Sequence, residues 1–353
     1  MAISATAFHV TIKLIIGAIN YLFCKLALDL LRGEEDAPKP GLMTLSVFLS
    51  LFLVAIPIYV SEVKTRPADA TKTGKAPDAL YTWTSHAFCI TPTIFEFIAT
   101  YLSMSGNSSL PATIMLFMKA TRVLWSALLS ILFLKSKLYG YHWVGIALSF
   151  IGLLPIIWVQ AQTSRSNDAD TFKTSIALAS VFACEFFEAV RGIFEENLIK
   201  DKQFSPALVQ YVEGYCGVIL SIALLIILHT VGYEDSIETI TLLSTKPWGT
   251  AFFILHTICC GLVNYSSNIL TKLLSSVHNA IISQVRIIVV WGPEFVIGGV
   301  TAGFARPLGR SFSPIYLCDI PGFLILAASA FVYSGKMRLP ISCLYPQHSS
   351  EIF

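Results

Sequence analysis

Two cations, Lys119 and Arg122, stand near the middle of a run, 110–134, that is otherwise almost wholly apolar and about as long as a bilayer is thick. A third, Arg286, stands inside a second such run, 277–300. An ionised group at the bilayer centre costs roughly 3 kcal/mol or more, so charges at that depth face a cavity or a partner instead of lipid. The guanidinium is a planar fork suited to phosphate or carboxylate, and the ammonium is a compact point charge. Gathered in a cleft of low dielectric, such groups attract an anion.

Residues three and four apart share one face of a helix, and several apolar runs carry a single polar stripe at that spacing. The third has His86, Cys89, Thr93, Glu96, Thr100 and Ser103. The fourth has Lys119, Arg122, Ser126 and Ser130, and the seventh has Gln210, Glu213, Gly217 and Ser221. The eighth has Cys260, Asn264, Ser267 and Thr271, and the ninth has Asn279, Ser283 and Arg286. Hydroxyl and thiol members of such stripes also serve plain helix–helix packing. The charged members are the informative ones. The candidate solute-contacting residues are therefore Lys119, Arg122, Arg286, Glu96, Asn20, Glu213 and Asn264.

The sixth run, "ACEFFEAVRGIFEENLIK", is denser in charge. Glu188, Arg191 and Glu195 share a face, and Arg191 can pair with either carboxylate. Arg191, Glu195 and Glu196 read as a structural clamp, the last two near a membrane edge where charge is cheap. Glu185 and Glu188 lie deeper, and with Arg191 they are the candidates for proton coupling or an ion pair. Lys25 and Asp29, one turn apart in the first run, read as a further pair.

The elements that must position these groups are helices. The chain has 353 residues, 55% hydrophobic and 13% charged, about half the charge of an ordinary soluble protein. Ten apolar segments are expected, near 8–31, 42–60, 80–104, 110–134, 138–160, 173–197, 206–230, 248–271, 277–300 and 315–334. The stretches 61–79, 231–247 and 301–314 are left as the longest connections. An odd number of spans per half makes the halves insert with opposite orientation, as in many secondary transporters. The expected fold is an all-α integral membrane protein of two five-helix inverted repeats. Residues 1–160 form the first repeat, 161–172 a loop between repeats, 173–335 the second repeat and 336–353 a cytosolic tail. Eleven Lys and Arg in the connections read as cytosolic, Lys64, Lys135 and Lys200 among them, against seven on the other side, Arg306 and Arg310 among them, favour cytosolic termini by a modest margin. That orientation puts the sequon Asn107-Ser108-Ser109 in the lumen, close against a span.

The net charge of +2 gives no argument for nucleic acid. The cysteines fall mostly in apolar runs (Cys24, Cys89, Cys184, Cys216, Cys259, Cys260) and show no metal-ligand spacing, so neither a metal nor a cofactor is expected. No zinc-protease, aspartate-rich or Gly-Asp intramembrane-protease motif is present, so an enzyme is not expected.

The stretch "LPATIMLFMKATRVLWSALLSILFLKSKLYGYHWVGIALSFIGLLPI" across the fourth and fifth runs resembles the drug/metabolite transporter superfamily. Within it, "GAIN" at Gly17 to Asn20, "FEENLIK" at Phe194 to Lys200, "VEGYCGVIL" at Val212 to Leu220, "SQVRIIVVW" at Ser283 to Trp291 and "GFLILAASAFVYSG" at Gly322 to Gly335 are similar to solute carrier family 35, nearest its F branch. The resemblance implies a ten-helix drug/metabolite transporter fold working by alternating access. It implies residence in an endomembrane, lysosome or Golgi, and basic cavity residues at the positions of Lys119 and Arg286. Leu116 stands where relatives often have Gln, and Ala327-Ala328 where a glycine is usual.

The function expected is transport of a small organic anion, nucleotide-sugar-like or otherwise phosphate- or carboxylate-bearing. The partners are that solute and the lipid bilayer, with no nucleic acid and a homodimer left open. Export of organic cations through the carboxylates, or a non-transporting membrane adaptor, are the alternatives.

Overall fold

A computed structural model describes residues 2–31, 39–64, 83–107, 112–163, 171–301, 314–338 and 340. The side chains of 112–120 and 291–301, and those of Lys25 and Asp29, are outside the description. So the Lys25–Asp29 pair, the sequon, the side chain of Lys119, most of the 61–79, 161–172 and 301–314 connections, and nearly all of the tail lie outside the described residues.

Every regular element among the described residues is helical. In chain order these are α1 (Ala2–Leu30), α2 (Pro40–Lys64), α3 (Trp83–Asn107), α4 (Ala112–Leu134), α5 (Gly140–Thr163), α6 (Thr171–Glu196), α7 (Pro206–Thr230), α8 (Ser236–Thr245), α9 (Pro247–Leu273), α10 (Ser276–Thr301) and α11 (Asp319–Tyr333). A π-helical turn, Asn197–Asp201, follows α6, and a 3₁₀ turn, Pro314–Cys318, precedes α11. Five helices are long and apolar enough to cross a membrane: Ala5–Cys24, Pro40–Lys64, Trp83–Ser105, Pro206–Thr230 and Pro247–Leu273. Four shorter apolar stretches lie at Thr121–Leu134, Gly140–Ile156, Ser276–Val290 and Asp319–Tyr333. The long helix α6 stands apart because Glu185, Glu188, Arg191, Glu195 and Glu196 interrupt its apolar sequence.

Helix pairing is extensive. α1 lies along α9 and α3 along α6, while α2 pairs with α7 and α5 with α11. α4 leans on α6 and α10 on α1, and α2 and α7 also touch α9 and α3 respectively. The α2–α7 crossing is close because α7 presents glycines there. A methyl group on Gly214 would strike the Phe52 backbone, and one on Gly217 the Phe48 ring. A second core knits α4, α5, α10 and α11 through Val123, Ala127, Ile146, Val277, Ile281 and Tyr333.

The 231–247 segment, read from sequence as a connection, contains α8. Its ten residues, SIETITLLST, are too few and too polar for a span. Asp235 caps it, accepting from the backbone N–H of Ile237 at 2.9 Å and of Glu238 at 3.2 Å, a signal the sequence did carry. Those two N–H groups hold the Asp235 carboxyl below its ordinary range. Ile237 and Ile240, one turn apart, are exposed, as is Trp248 at the start of α9. Next to α8, buried Glu234 closes the N-terminus of α2, accepting from Gly41 N–H at 2.8 Å and Leu42 N–H at 3.2 Å. Burial pushes the Glu234 carboxyl up, and the two N–H groups and Lys39 pull it back. Lys39 bonds Glu238 at 2.9 Å and completes the tie.

Removing this acceptor orphans two buried N–H groups, each costing about 1–3 kcal/mol. Glu234→Ala is expected to lower the thermal unfolding midpoint of the purified protein, with secondary structure unchanged by circular dichroism. Gly214→Ala is expected to lower the same midpoint by wedging α2 from α7, at about 1–3 kcal/mol; an unchanged midpoint would show that the crossing has slack.

Candidate functional site

Arg191 is the centre of the charged interior. It projects from the C-terminal part of α6 and is only 5% exposed. Its guanidinium pairs with Glu96 of α3, with Glu195 one turn along α6 at 3.1 Å, and at 3.7 Å with Glu188 one turn back. Helical spacing places Glu188 and Glu195 on its face, and the α3–α6 packing brings Glu96 across. Glu188 also bonds Arg122 of α4 at 3.1 Å. The clamp thus spans three helices. Glu195 and Glu196, expected at a membrane edge where charge is cheap, are both buried. The reason is that α9 and α10 touch α6, and Glu213 of α7 and Ser276 of α10 come against these carboxylates. Glu196 accepts from Ser276 N–H at 2.8 Å and its hydroxyl at 2.7 Å, and from Lys200 at 2.8 Å, so it closes the start of α10.

Glu213 of α7 completes the cluster. Carboxylate oxygens of Glu96, Glu195 and Glu213 all lie within 4.8 Å of one another, and all three residues are buried. Two like charges at about 4 Å repel by about 4 kcal/mol at an effective dielectric of 20. One guanidinium among three carboxylates does not offset that. The sequence put Glu96 and Glu213 among the solute-contacting groups; the structure engages Glu96 with Arg191 and packs Glu213 against both carboxylates.

The cationic group lies alongside. Arg122 and Arg286, from α4 and α10, are within electrostatic reach of each other, and both are within reach of Lys13 of α1. Among the described residues no carboxylate lies within ion-pair distance of Arg286, whereas Arg122 is tied to Glu188. Arg286 rests on α1 at Gly17, where a Cβ would come within 2.7 Å of its Cδ. The missing side chain makes the berth. Lys13, buried, donates to the Asn279 backbone oxygen at 3.0 Å and to the Asn279 side-chain oxygen, and Asn279 donates to Thr271 at 3.3 Å. Sequence reasoning did not select Lys13. Its signal was a cation one turn before Gly17 in the first apolar run.

The remaining expected residues are spread out. Lys119 stands one turn before Arg122 on α4. Asn20 is half-buried on α1, one turn beyond Gly17, and its side-chain oxygen finds no partner among the described residues. Asn264 is half-buried on α9 and folds its amide back on the Cys260 carbonyl at 3.1 Å. Glu185 is buried on α6, with Glu188 one turn on. An apolar groove of about 290 Å³ lies between α4 and α6, lined by Leu129, Phe133, Phe186, Val190, Phe194 and Asn197; no charged side chain lines it.

No protein-family profile matches the chain. Over 94% of its length it is 20% identical to solute carrier family 35 member F6 of Rattus norvegicus, covering 89% of that protein. Over 93% it is 21% identical to the Mus musculus protein of the same name and 18% identical to the Homo sapiens one, covering 88% of each. A solved crystal structure aligns with a TM-score of 0.59 at 16% identity, over 95% of this chain and 97% of that one. That likeness concerns the fold alone.

Removing one member of a buried ion cluster costs about 3–5 kcal/mol, because charge is left without a counter-charge. Arg191→Met is expected to abolish the monodisperse folded peak in size-exclusion chromatography. The double variant Arg191→Met with Glu96→Gln is expected to recover part of it; equal loss in both would show that Glu96 is not the partner that matters.

Proposed function

We propose that this chain, which belongs to solute carrier family 35, carries a small organic anion bearing a phosphate or carboxylate, of nucleotide-sugar type, through the membrane by alternating access. The observation that carries the reading is Arg286. It is a deep cation with no carboxylate in ion-pair distance among the described residues, seated in a glycine berth and facing Arg122 from an opposed helix. Two guanidinium groups brought together in a low-dielectric interior repel each other until an anion sits between them. Lys119 lies on the same α4 face and Asn20 on the same α1 face as the berth.

The fold reading behind this is ten spans in two inverted five-helix repeats, 1–160 and 173–335, with both termini cytosolic and residence in an endomembrane. The pairing of helices supports it. Let α1 to α5 exchange with α6, α7, α9, α10 and α11 in order. The α1–α9 contact then becomes α6–α3, α4–α6 becomes α10–α1, and α2–α9 becomes α7–α3, while α2–α7, α5–α11 and α4–α10 map onto themselves; all are present. Arg122 and Arg286 are mates under the same exchange. Midplane sites between repeats are what this architecture builds.

Export of organic cations would draw on the carboxylates instead. Of the three carboxylates that reading needs, Glu96 and Glu188 already hold Arg191, and Glu188 holds Arg122 as well, which leaves only Glu213 outside those ion pairs.

In proteoliposomes screened against nucleotides, nucleotide sugars, small carboxylates and organic cations, uptake of one anion class is expected. Arg286→Ala and Lys119→Ala are expected to reduce it at least tenfold, about 1.4 kcal/mol, with melting curves kept. Gly17→Val, which fills the berth, should do likewise. Anion uptake unchanged in all three, or uptake competed only by organic cations, would reject the reading.

A further inference from the structure

The carboxylate cluster has more negative groups than the solute reading uses. Arg191 is committed to Glu96 on one side and to Glu195 and Glu188 along its own helix. Glu213 has no share in those ion pairs, although its oxygens lie within 4.8 Å of those of Glu96 and Glu195. It is 1% exposed, and its Oε1 has no hydrogen-bond partner among the described residues. One turn earlier, Gln210 spends its amide N–H groups on the Leu51 and Gly261 carbonyls at 3.3 and 3.2 Å, so it does not turn them to Glu213. A buried carboxylate with carboxylate neighbours and no donor needs a cation, and the smallest is a proton. A divalent ion would have to take the oxygens that Arg191 already holds.

We propose that Glu213 and Glu195 share one exchangeable proton, making the α3–α6–α7 cluster an internal proton-binding site separate from the cationic site at Arg286. The O–H bond forms on the Glu213 carboxyl and donates to the Glu195 carboxylate. When it breaks, the proton leaves to water and Glu213 is left with its negative charge beside Glu96 and Glu195. Facing Glu213 are Glu96 and Cys89 from α3, and Arg191 and Glu195 from α6. Cys216 belongs to α7 itself, and α9 brings Cys260 near Glu96. Of the titratable groups of α2, Tyr59 stacks on Tyr211, Glu62 accepts from Ser205, and Lys64 ends the helix. Glu234, Asp235 and Glu238 are at the opposite end of α7. The site does not depend on which solute is carried, so its test needs none.

Infrared difference spectroscopy of the purified protein in lipid nanodiscs, titrated from about pH 4 to pH 9, reads protonated carboxyls directly. The expected result is a carboxylic-acid C=O band that persists at least two pH units above the ordinary carboxyl range of about 4. It should shift in heavy water, vanish in Glu213→Gln and move in frequency in Glu195→Gln. A wild-type protein whose carboxyl bands all disappear by about pH 5, or a high-pH band that survives Glu213→Gln, overturns the proposal. So does a band removed at constant pH by sodium or calcium, which would make a metal ion the occupant. If Glu213→Gln fails to fold, the wild-type titration and Glu195→Gln decide. Anion uptake with no such band would leave the solute reading standing without this site.

Discussion

The interior of this protein is organised by one buried guanidinium. Arg191 ties α6 to α3, and through Glu188 to Arg122 it reaches α4. Such a cluster does little for net stability, because desolvating the ions offsets most of their attraction. Its effect is on specificity. A rotation of α6 by one residue would turn Arg191 away from Glu96 and leave both charges alone in an apolar interior. The register of α3 against α6, and so the position of the Glu213 face, depends on this contact more than on the apolar side chains around it, which could slide past one another at small cost.

Two charged sites of opposite sign follow from that arrangement. One gathers Lys13, Arg122 and Arg286 where α1, α4 and α10 approach. The other gathers Glu96, Glu195 and Glu213 where α3, α6 and α7 approach. Glu188 lies between them, bonded to Arg122 and facing Arg191, so charge placed in one site is felt in the other.

Much of the helical framework was legible in the amino-acid sequence, because a bilayer imposes length and apolarity on each span and leaves few other ways to bury a backbone. The ten expected segments each lie within a few residues of an observed helix. The helix α8 was not foreseen, since its ten residues are too few for a hydropathy signal and only Asp235 betrays its start. Periodicity placed Glu188, Arg191 and Glu195 together because they share one helix. It could not say that Glu213 would come to Glu195, or that Arg286 would lie over Gly17, because those meetings are fixed by how helices distant in sequence pack. The cover over Glu195 and Glu196 was illegible for the same reason. Depth along a helix is readable from sequence, whereas cover by a neighbour is not.

The π-helical turn after α6 ties together elements far apart in the chain. It carries Lys200 back to Glu196 and on to the carbonyl of Leu274, while Glu196 holds Ser276. Leu274 and Ser275 are all that separates α9 from α10. The elbow between those helices is therefore bolted to the foot of α6, and a tilt of α6 must swing the elbow with it. A displacement of α10 that lifts Arg286 off Gly17 would then be transmitted by a lever whose other arm carries Arg191.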